Sequence, residues 1–178
     1  MLKILGILVV VGIGTVLVLA SFQPDTFRVQ RSVVVDAPPE KVFPLVDDFK
    51  RWTRWSPWEK LDPDMKRTFG ATTAGKGATY DWDGSGKAGA GRMEIVASHP
   101  SSAIDIALHF VRPLENDAKA TFRFSPQGDG TLVTWTMESP SPFLAKVMHV
   151  FFDAEEMVGD DFARGLAALK ALAENPAS

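Results

Sequence analysis

The chain contains no cysteine. That excludes disulfides, thiolate catalysis, zinc–thiolate sites and lipid attachment through a cysteine. Histidine is scarce: His99, His109 and His149 lie far apart without metal-ligand spacing, so no metal and no other cofactor is expected. A charge excess of either sign is also missing. The formal net charge is -3 over 178 residues, which gives no broad electrostatic case for nucleic acid as a partner. Neither a nucleophile elbow nor a metalloprotease motif occurs.

What is present is apolar. Hydrophobic residues make up 46% of the chain against 23% charged, enough for a packed core. The length suits one domain plus a short extra segment. Ile4 to Ala20 reads ILGILVVVGIGTVLVLA, uncharged and with only Thr15 polar. As a helix, residues 1–22 would extend roughly 30 Å, about the thickness of a bilayer core. The run therefore predicts a membrane segment, either a retained transmembrane signal anchor or a signal peptide cleaved near Val18-Leu19-Ala20. It exceeds the roughly 7–15 apolar residues of a cleaved signal, which favours the anchor. Lys3 flanks it on one side and Arg28 and Arg31 on the other. The expectation is a single-pass protein of the cell membrane whose domain lies on the extracytoplasmic side.

Residues 23–26 read as a linker, 27–174 as the domain and 175–178 as a tail. Phe27, Val29, Val33 and Val35 alternate and mark a first strand. Asp36 is an N-cap candidate for a helix from Pro39 to Asp47, with a second short helix over Asp48 to Arg54. Six short alternating stretches follow. They are centred on Met65–Phe69, Ala78–Trp82, Gly91–Ser98, Ile104–Phe110, Ala118–Phe124 and Val133–Met137. Their close spacing argues for antiparallel pairing. The apolar face of such a sheet needs a cover. An amphipathic helical stretch from Pro142 to about Glu174 supplies it, with a kink or break marked by Asp153–Glu156 and Gly159. The fold class is α+β: a curved antiparallel sheet of about seven strands wrapped on a long C-terminal helix, preceded by the membrane segment.

Particular stretches carry a resemblance. Phe27-x-Val29-x-Arg31-Ser32, Ala37-Pro38-Pro39-x-x-Val42-Phe43, Trp52-x-x-Trp55-Ser56-Pro57-Trp58 and Gly165-Leu166-x-x-Leu169-Lys170 resemble the START/polyketide-cyclase superfamily, also called SRPBCC. The resemblance covers roughly Phe27 to Glu174. It implies a helix-grip fold with an apolar cavity between sheet and long helix, and it leaves the chemistry open.

Two glycine-rich stretches are weaker signals. Gly70 to Lys76 matches most of a phosphate-binding loop, but Gly77 stands where Ser or Thr would hold magnesium, and a strand follows where a helix is needed. Gly84-Ser-Gly86-Lys-Ala-Gly89 has dinucleotide-fingerprint spacing but sits between two strands, outside any βαβ unit. Both read as hairpins, the second placed to form a cavity rim.

The ligand-cavity candidates are inward strand residues and helix-face residues. They are Arg31, Tyr80, Trp82, Met93, Phe110 and Phe122, then Trp135, Met137, Phe143, Met148, Phe151 and Phe162. Trp52, Trp55 and Trp58 read as packing beneath the sheet or as a ligand entrance. Arg31 shares a face with Val29 and Val33, so its charge needs an inward partner: Asp81, Glu94 or an acidic ligand. No residue is assigned a catalytic role. The expected function is binding of an apolar small molecule or lipid beside a membrane. The alternatives are a cyclase or hydrolase working through Arg31, Tyr80, Asp81 or His149, and a protein-interaction module without a ligand.

Overall fold

The structure, a computed structural model, describes residues 2–175. Residues 176–178 of the expected tail and Met1 of the expected membrane segment lie outside the described residues. The elements run α1 (Leu2–Ser21), β1 (Thr26–Val35), α2 (Pro39–Asp47), α3 (Phe49–Trp52) and a 3-10 turn (Pro57–Lys60). Then come β2 (Lys66–Phe69), β3 (Thr79–Asp83), β4 (Ala90–His99), β5 (Ala103–Arg112), β6 (Asn116–Gln127) and β7 (Gly130–Pro140), followed by α4 (Phe143–His149) and α5 (Ala154–Glu174).

The seven strands form one antiparallel sheet in the order β1-β7-β6-β5-β4-β3-β2. Short connections make β2 to β7 a meander, and β1 pairs with β7 on its far side. Alternation sets which face is covered: Met93 and Ile95 on β4, Ile104 and Ile106 on β5, and Ala120, Phe122 and Phe124 on β6 are all buried. Helix α5 lies across that face on Phe162, Leu166, Leu169 and Leu172, an i, i+3, i+4 stripe. The core is one cluster joining this stripe, the inner sheet face and the apolar sides of α2 and α3.

Three expectations are corrected. Among the described residues no helix is long and apolar enough to cross a membrane, which overturns the spanning segment expected at residues 1–22. The apolar run does form α1, but its last turn is committed to the domain: the helix contacts α4 and Ala20 is fully buried. The rest of the helix falls short of the roughly 30 Å a bilayer core requires. Second, of the two markers for a kink or break, the acidic stretch holds and Gly159 does not, since α5 runs through it: the C-terminal cover is two helices. The chain breaks at Val150–Asp153, and the Asp153 side chain restarts it by accepting the backbone N–H of Glu156 at 3.0 Å. Third, Asp36 caps nothing; α2 begins after Pro38 without a side-chain cap. The backbone N–H of Asp36 instead donates to Glu174 at 2.6 Å, fastening the end of α5 to the β1–α2 turn.

Candidate ligand cavity

Strand register divides the inner sheet face into rows. Val133 and Phe124 pair at one end, followed by Trp135, Phe122 and Ile104. Next come Met137, Ala120, Ile106 and Ile95, then Leu108, Met93, Tyr80 and Phe69. Phe110, Gly91 and Trp82 make the last.

The first two rows are closed by aromatic rings from α2, α3 and the turn that follows α3. Phe43 meets Phe124 edge-on at 5.4 Å, and Trp52 and Trp55 both reach Phe122 and Trp135. Both indoles are anchored: Trp52 Nε1 donates to the Val46 carbonyl at 2.8 Å and Trp55 Nε1 to the Leu45 carbonyl at 2.8 Å.

The next rows are not filled. Ala120 offers only a methyl group there, and a cavity of about 250 Å³ opens between the sheet, the turn Pro57–Lys60 and the first half of α5. Its sheet wall includes Met93, Leu108, Phe110 and Met137, and its roof includes Trp58, Val158 and Phe162. Trp82 forms one side. Gly91 makes that possible, because a Cβ there would come within 2.6 Å of the Trp82 ring. The indole Nε1–H of Trp82 donates to the Ala88 carbonyl at 3.1 Å, so the Gly84–Gly89 hairpin borders the cavity through Ala88 and Gly89.

Ser56 and Arg112 also border this apolar wall, Arg112 at the rim where it donates to Asp83 at 2.6 Å, and one buried polar cluster enters it. Glu59 sits in the 3-10 turn with its side chain only 6% exposed. Tyr80 donates its hydroxyl to Glu59 Oε1 at 2.6 Å, and Arg67 donates Nε to Glu59 Oε2 at 2.6 Å. Arg67 also donates to the Met65 carbonyl at 2.7 Å and the Glu59 carbonyl at 3.1 Å. Burial, and then the hydrogen bond to the Glu59 carboxylate, push the Tyr80 phenol well above its ordinary value of 10. Among the described residues, no group of three or more His, Asp or Glu side chains is placed to hold a metal ion.

Of the cavity candidates, Tyr80, Trp82, Met93, Phe110, Trp135, Met137 and Phe162 line this space. Phe122 stands behind the wall, fully buried against Trp135. The other four lie elsewhere. Arg31 is drawn under α5, where it donates to Glu155 at 2.6 Å; neither Asp81 nor Glu94 is its partner. Gly159 leaves room for it, since a Cβ there would collide with the guanidinium. Phe143, Met148 and Phe151 are exposed, because the break before α5 turns α4 away from the sheet. Phe151 and His149 border a separate, open groove of about 610 Å³ beside the 23–26 linker, and His149 packs on Phe27 at 5.6 Å. Asp81 faces outward and pairs with Arg92 at 3.6 Å.

Glu59 was not among the sequence candidates, although a signal for it existed. Met65, Arg67 and Phe69 alternate on one face, so Arg67 carries a charge inward and demands a carboxylate. Glu59, Asp62 and Asp64 all precede that strand, and the residues alone do not say which of them answers the charge.

Comparison with known proteins gives a consistent picture. Residues 26–174 match the family model described as polyketide cyclase/dehydrase and lipid transport. No curated protein matches. A solved protein from Chromobacterium violaceum, CV1439, is 19% identical with a TM-score of 0.59, covering 85% of this chain and 99% of its own. The Aha1 dimer from Colwellia psychrerythraea is 15% identical with a TM-score of 0.58, covering 85% and 99% respectively. The di-domain ARO/CYC StfQ from the steffimycin biosynthetic pathway is 13% identical with a TM-score of 0.66; the match covers 85% of this chain and 52% of that one. At these identities the likeness is one of fold. The family match covers almost all of the sheet and its covering helices, the unit that encloses the cavity, and the chain belongs to the polyketide cyclase/dehydrase and lipid transport family of the START/SRPBCC superfamily.

Proposed function

We propose that the domain binds a small apolar molecule in the cavity between the sheet and α5. The observation that carries this reading is the 250 Å³ space walled by Trp58, Trp82, Met93, Leu108, Phe110 and Met137. Protein interiors normally fill such space, and an apolar pocket with a few convergent polar groups is the usual form of a ligand site. The volume sits at the small end of such sites, so the ligand is one to three rings or a short branched chain.

Hydrophobic burial alone holds such a ligand weakly. Covering about 300 Å² of it yields roughly 7 kcal/mol at about 25 cal/mol per Å². Association costs about 4 kcal/mol or more.

Catalysis in the same cavity is the second reading, and the Glu59–Tyr80–Arg67 cluster is its only motive. Both Glu59 carboxylate oxygens already accept a hydrogen bond, and Tyr80 is held in its protonated form. A clasp of that kind fixes the turn Pro57–Lys60 to β2 and β3 and leaves no group poised to move a proton, which favours binding over chemistry.

Titrating the protein with tetralin while following the methyl resonances of Met93 and Met137 tests the proposal. Saturable shifts that vanish in Ala120→Leu are expected. A wild-type protein giving no saturable shift overturns it.

A further inference from the structure

Helix α4 is built inside out. Its one lysine, Lys146, is 9% exposed and donates its Nζ to Asp25 of the linker. Its apolar side chains are turned out instead: Phe143 is 52% exposed and Leu144 63%. Phe151 and Phe152, in the break before α5, are 63% and 60% exposed. A surface helix that faces water has the opposite polarity, with its charges outward and its apolar stripe on the core. A buried cation with four large apolar groups outside marks a face turned to an apolar medium.

The backbone there suits such a medium. The N–H groups of Val150, Phe151 and Phe152 are satisfied locally, the first by the Val147 carbonyl and the other two by that of Met148. Apolar surroundings offer no water to replace a missing partner. The patch also continues onto α1, which packs against α4. Phe151 and Phe152 share an open groove with Gln23 and Pro24, just beyond the exposed Phe22 that follows α1. At about 100° per residue, Ile4, Leu8 and Val11 stand on one side of α1 and Val10, Ile13 and Leu17 on the opposite side. All six are exposed.

We propose that this face is a bilayer-docking surface: α4, the break at Val150–Asp153 and α1 enter one leaflet of a membrane, and α1 does not cross it. The exposure of α1 on opposite sides selects lipid over a second copy of the chain. A partner protein covers one side of a helix, within about 800 Å² of surface per partner. A fluid layer covers both sides together. The charges bordering the patch select the lipid. Its cations are already paired, Lys146 with Asp25 and Arg28 with Glu138 at 3.1 Å. Asp153 and Glu155 stand on the same groove and add negative charge. The surface therefore fits zwitterionic headgroups, and entry of the apolar side chains drives docking.

Flotation of the full chain with phosphatidylcholine vesicles tests this. The wild type is expected to float equally at low and high salt, and no better when part of the lipid is phosphatidylglycerol. Leu144→Ser, Phe151→Ser and Phe152→Ser together should weaken partitioning about tenfold or more. A wild type that stays with the soluble fraction, or floats only with the anionic lipid, overturns the proposal. So does a wild type that sediments as a dimer and becomes monomeric in the triple variant, because the occupant is then a second copy. Should the triple variant not fold, single labels decide. The chain has no cysteine, so Leu144→Cys on α4 and Arg123→Cys on the outer face of β6 each take one environment-sensitive fluorophore. Vesicles are expected to brighten and blue-shift the label at position 144 and not that at 123. An unresponsive label at 144 on a floating protein overturns the role of α4.

Discussion

The two ends of the sheet–helix interface use the same residue types to opposite effect. At the end covered by α2 and α3, Trp52, Trp55, Phe43, Phe122 and Phe124 meet ring to ring, and the indole N–H groups of both tryptophans are bound to backbone carbonyls. Further along the interface, Trp58, Trp82 and Phe110 stand around a space instead of filling it. The difference comes from what lies opposite. Helices α2 and α3 press into the closed end, whereas the turn Pro57–Lys60 and the first half of α5 stand over the open end, where the sheet offers only Ala120's methyl group. Aromatic content therefore does not distinguish a core from a cavity; the small residues and the covering elements do. Stability is expected to reside at the closed end and binding at the open end.

The sharpest way to break that division is Trp55→Ala. Trp55 is 1% exposed and touches Phe122 and Trp135 edge-on. Its loss is expected to cost about 3–5 kcal/mol, read as a fall in the urea midpoint. A cost below about 1 kcal/mol would mean that the closed end is no better packed than the open one.

Tyr80→Phe acts at the boundary. It leaves Glu59 Oε1 without its donor in a buried site, at an expected cost of about 1–3 kcal/mol. Its pH signature is separate. A phenol whose folded value is raised contributes stability that is complete below pH 10 and is lost as pH rises through the folded value. Tyr80 is the only tyrosine in the chain. The phenolate absorbance therefore reports it alone, and its titration is expected above pH 10, coupled to alkaline unfolding that the variant lacks. Titration at the ordinary value would show that the hydroxyl is open to water.

Ala120→Leu probes the open end directly. Extra methylenes placed in a void meet little resistance, so stability is expected to change by less than about 1 kcal/mol while tetralin binding disappears. A large destabilisation would show that the cavity closes in solution.

These contrasts also explain what could be read from the residues alone. Alternation made the strands legible, because period-two burial is a local property: β1 was expected from Phe27 to Val35 and runs Thr26–Val35. Helix α2 was legible to the residue, since Pro39 starts it and its apolar face is continuous. The break at Val150–Asp153 was legible only as a marker, and its consequence was not: Phe143, Met148 and Phe151 are helically spaced but turn outward. The apolar run of α1 was legible as a helix, but its docking on α4 is a long-range contact with no local signature. The cavity itself was half legible. Register places Tyr80, Trp82, Met93, Phe110, Trp135 and Met137 on the cavity wall but Arg31 and Phe122 off it, whereas Glu59 belongs to a turn without periodicity and its pairing with Arg67 joins separate elements.

The smallest effect is expected where α5 is fastened over the closed end. Glu174 accepts from Lys170 Nζ at 2.6 Å and from the Asp36 backbone N–H at 2.6 Å, and Lys170 also donates to the Val34 carbonyl at 2.7 Å. The hydrogen bond from Lys170, and then that from Asp36, hold the Glu174 carboxyl below its ordinary value of 4.5. A depressed carboxyl contributes stability that is present above pH 4.5 and is lost as pH falls through the lower folded value. Glu174→Gln should therefore lower the urea midpoint slightly near neutrality, and the two proteins should converge in acid. Asp36 is exposed and Lys170 and Glu174 are only half-buried, so screening keeps the difference small and salt shrinks it further. Midpoints that differ equally at every pH would assign the loss to packing of the last helical turn, and the end of α5 would then be held by its buried Leu169 and Leu172 without help from these hydrogen bonds.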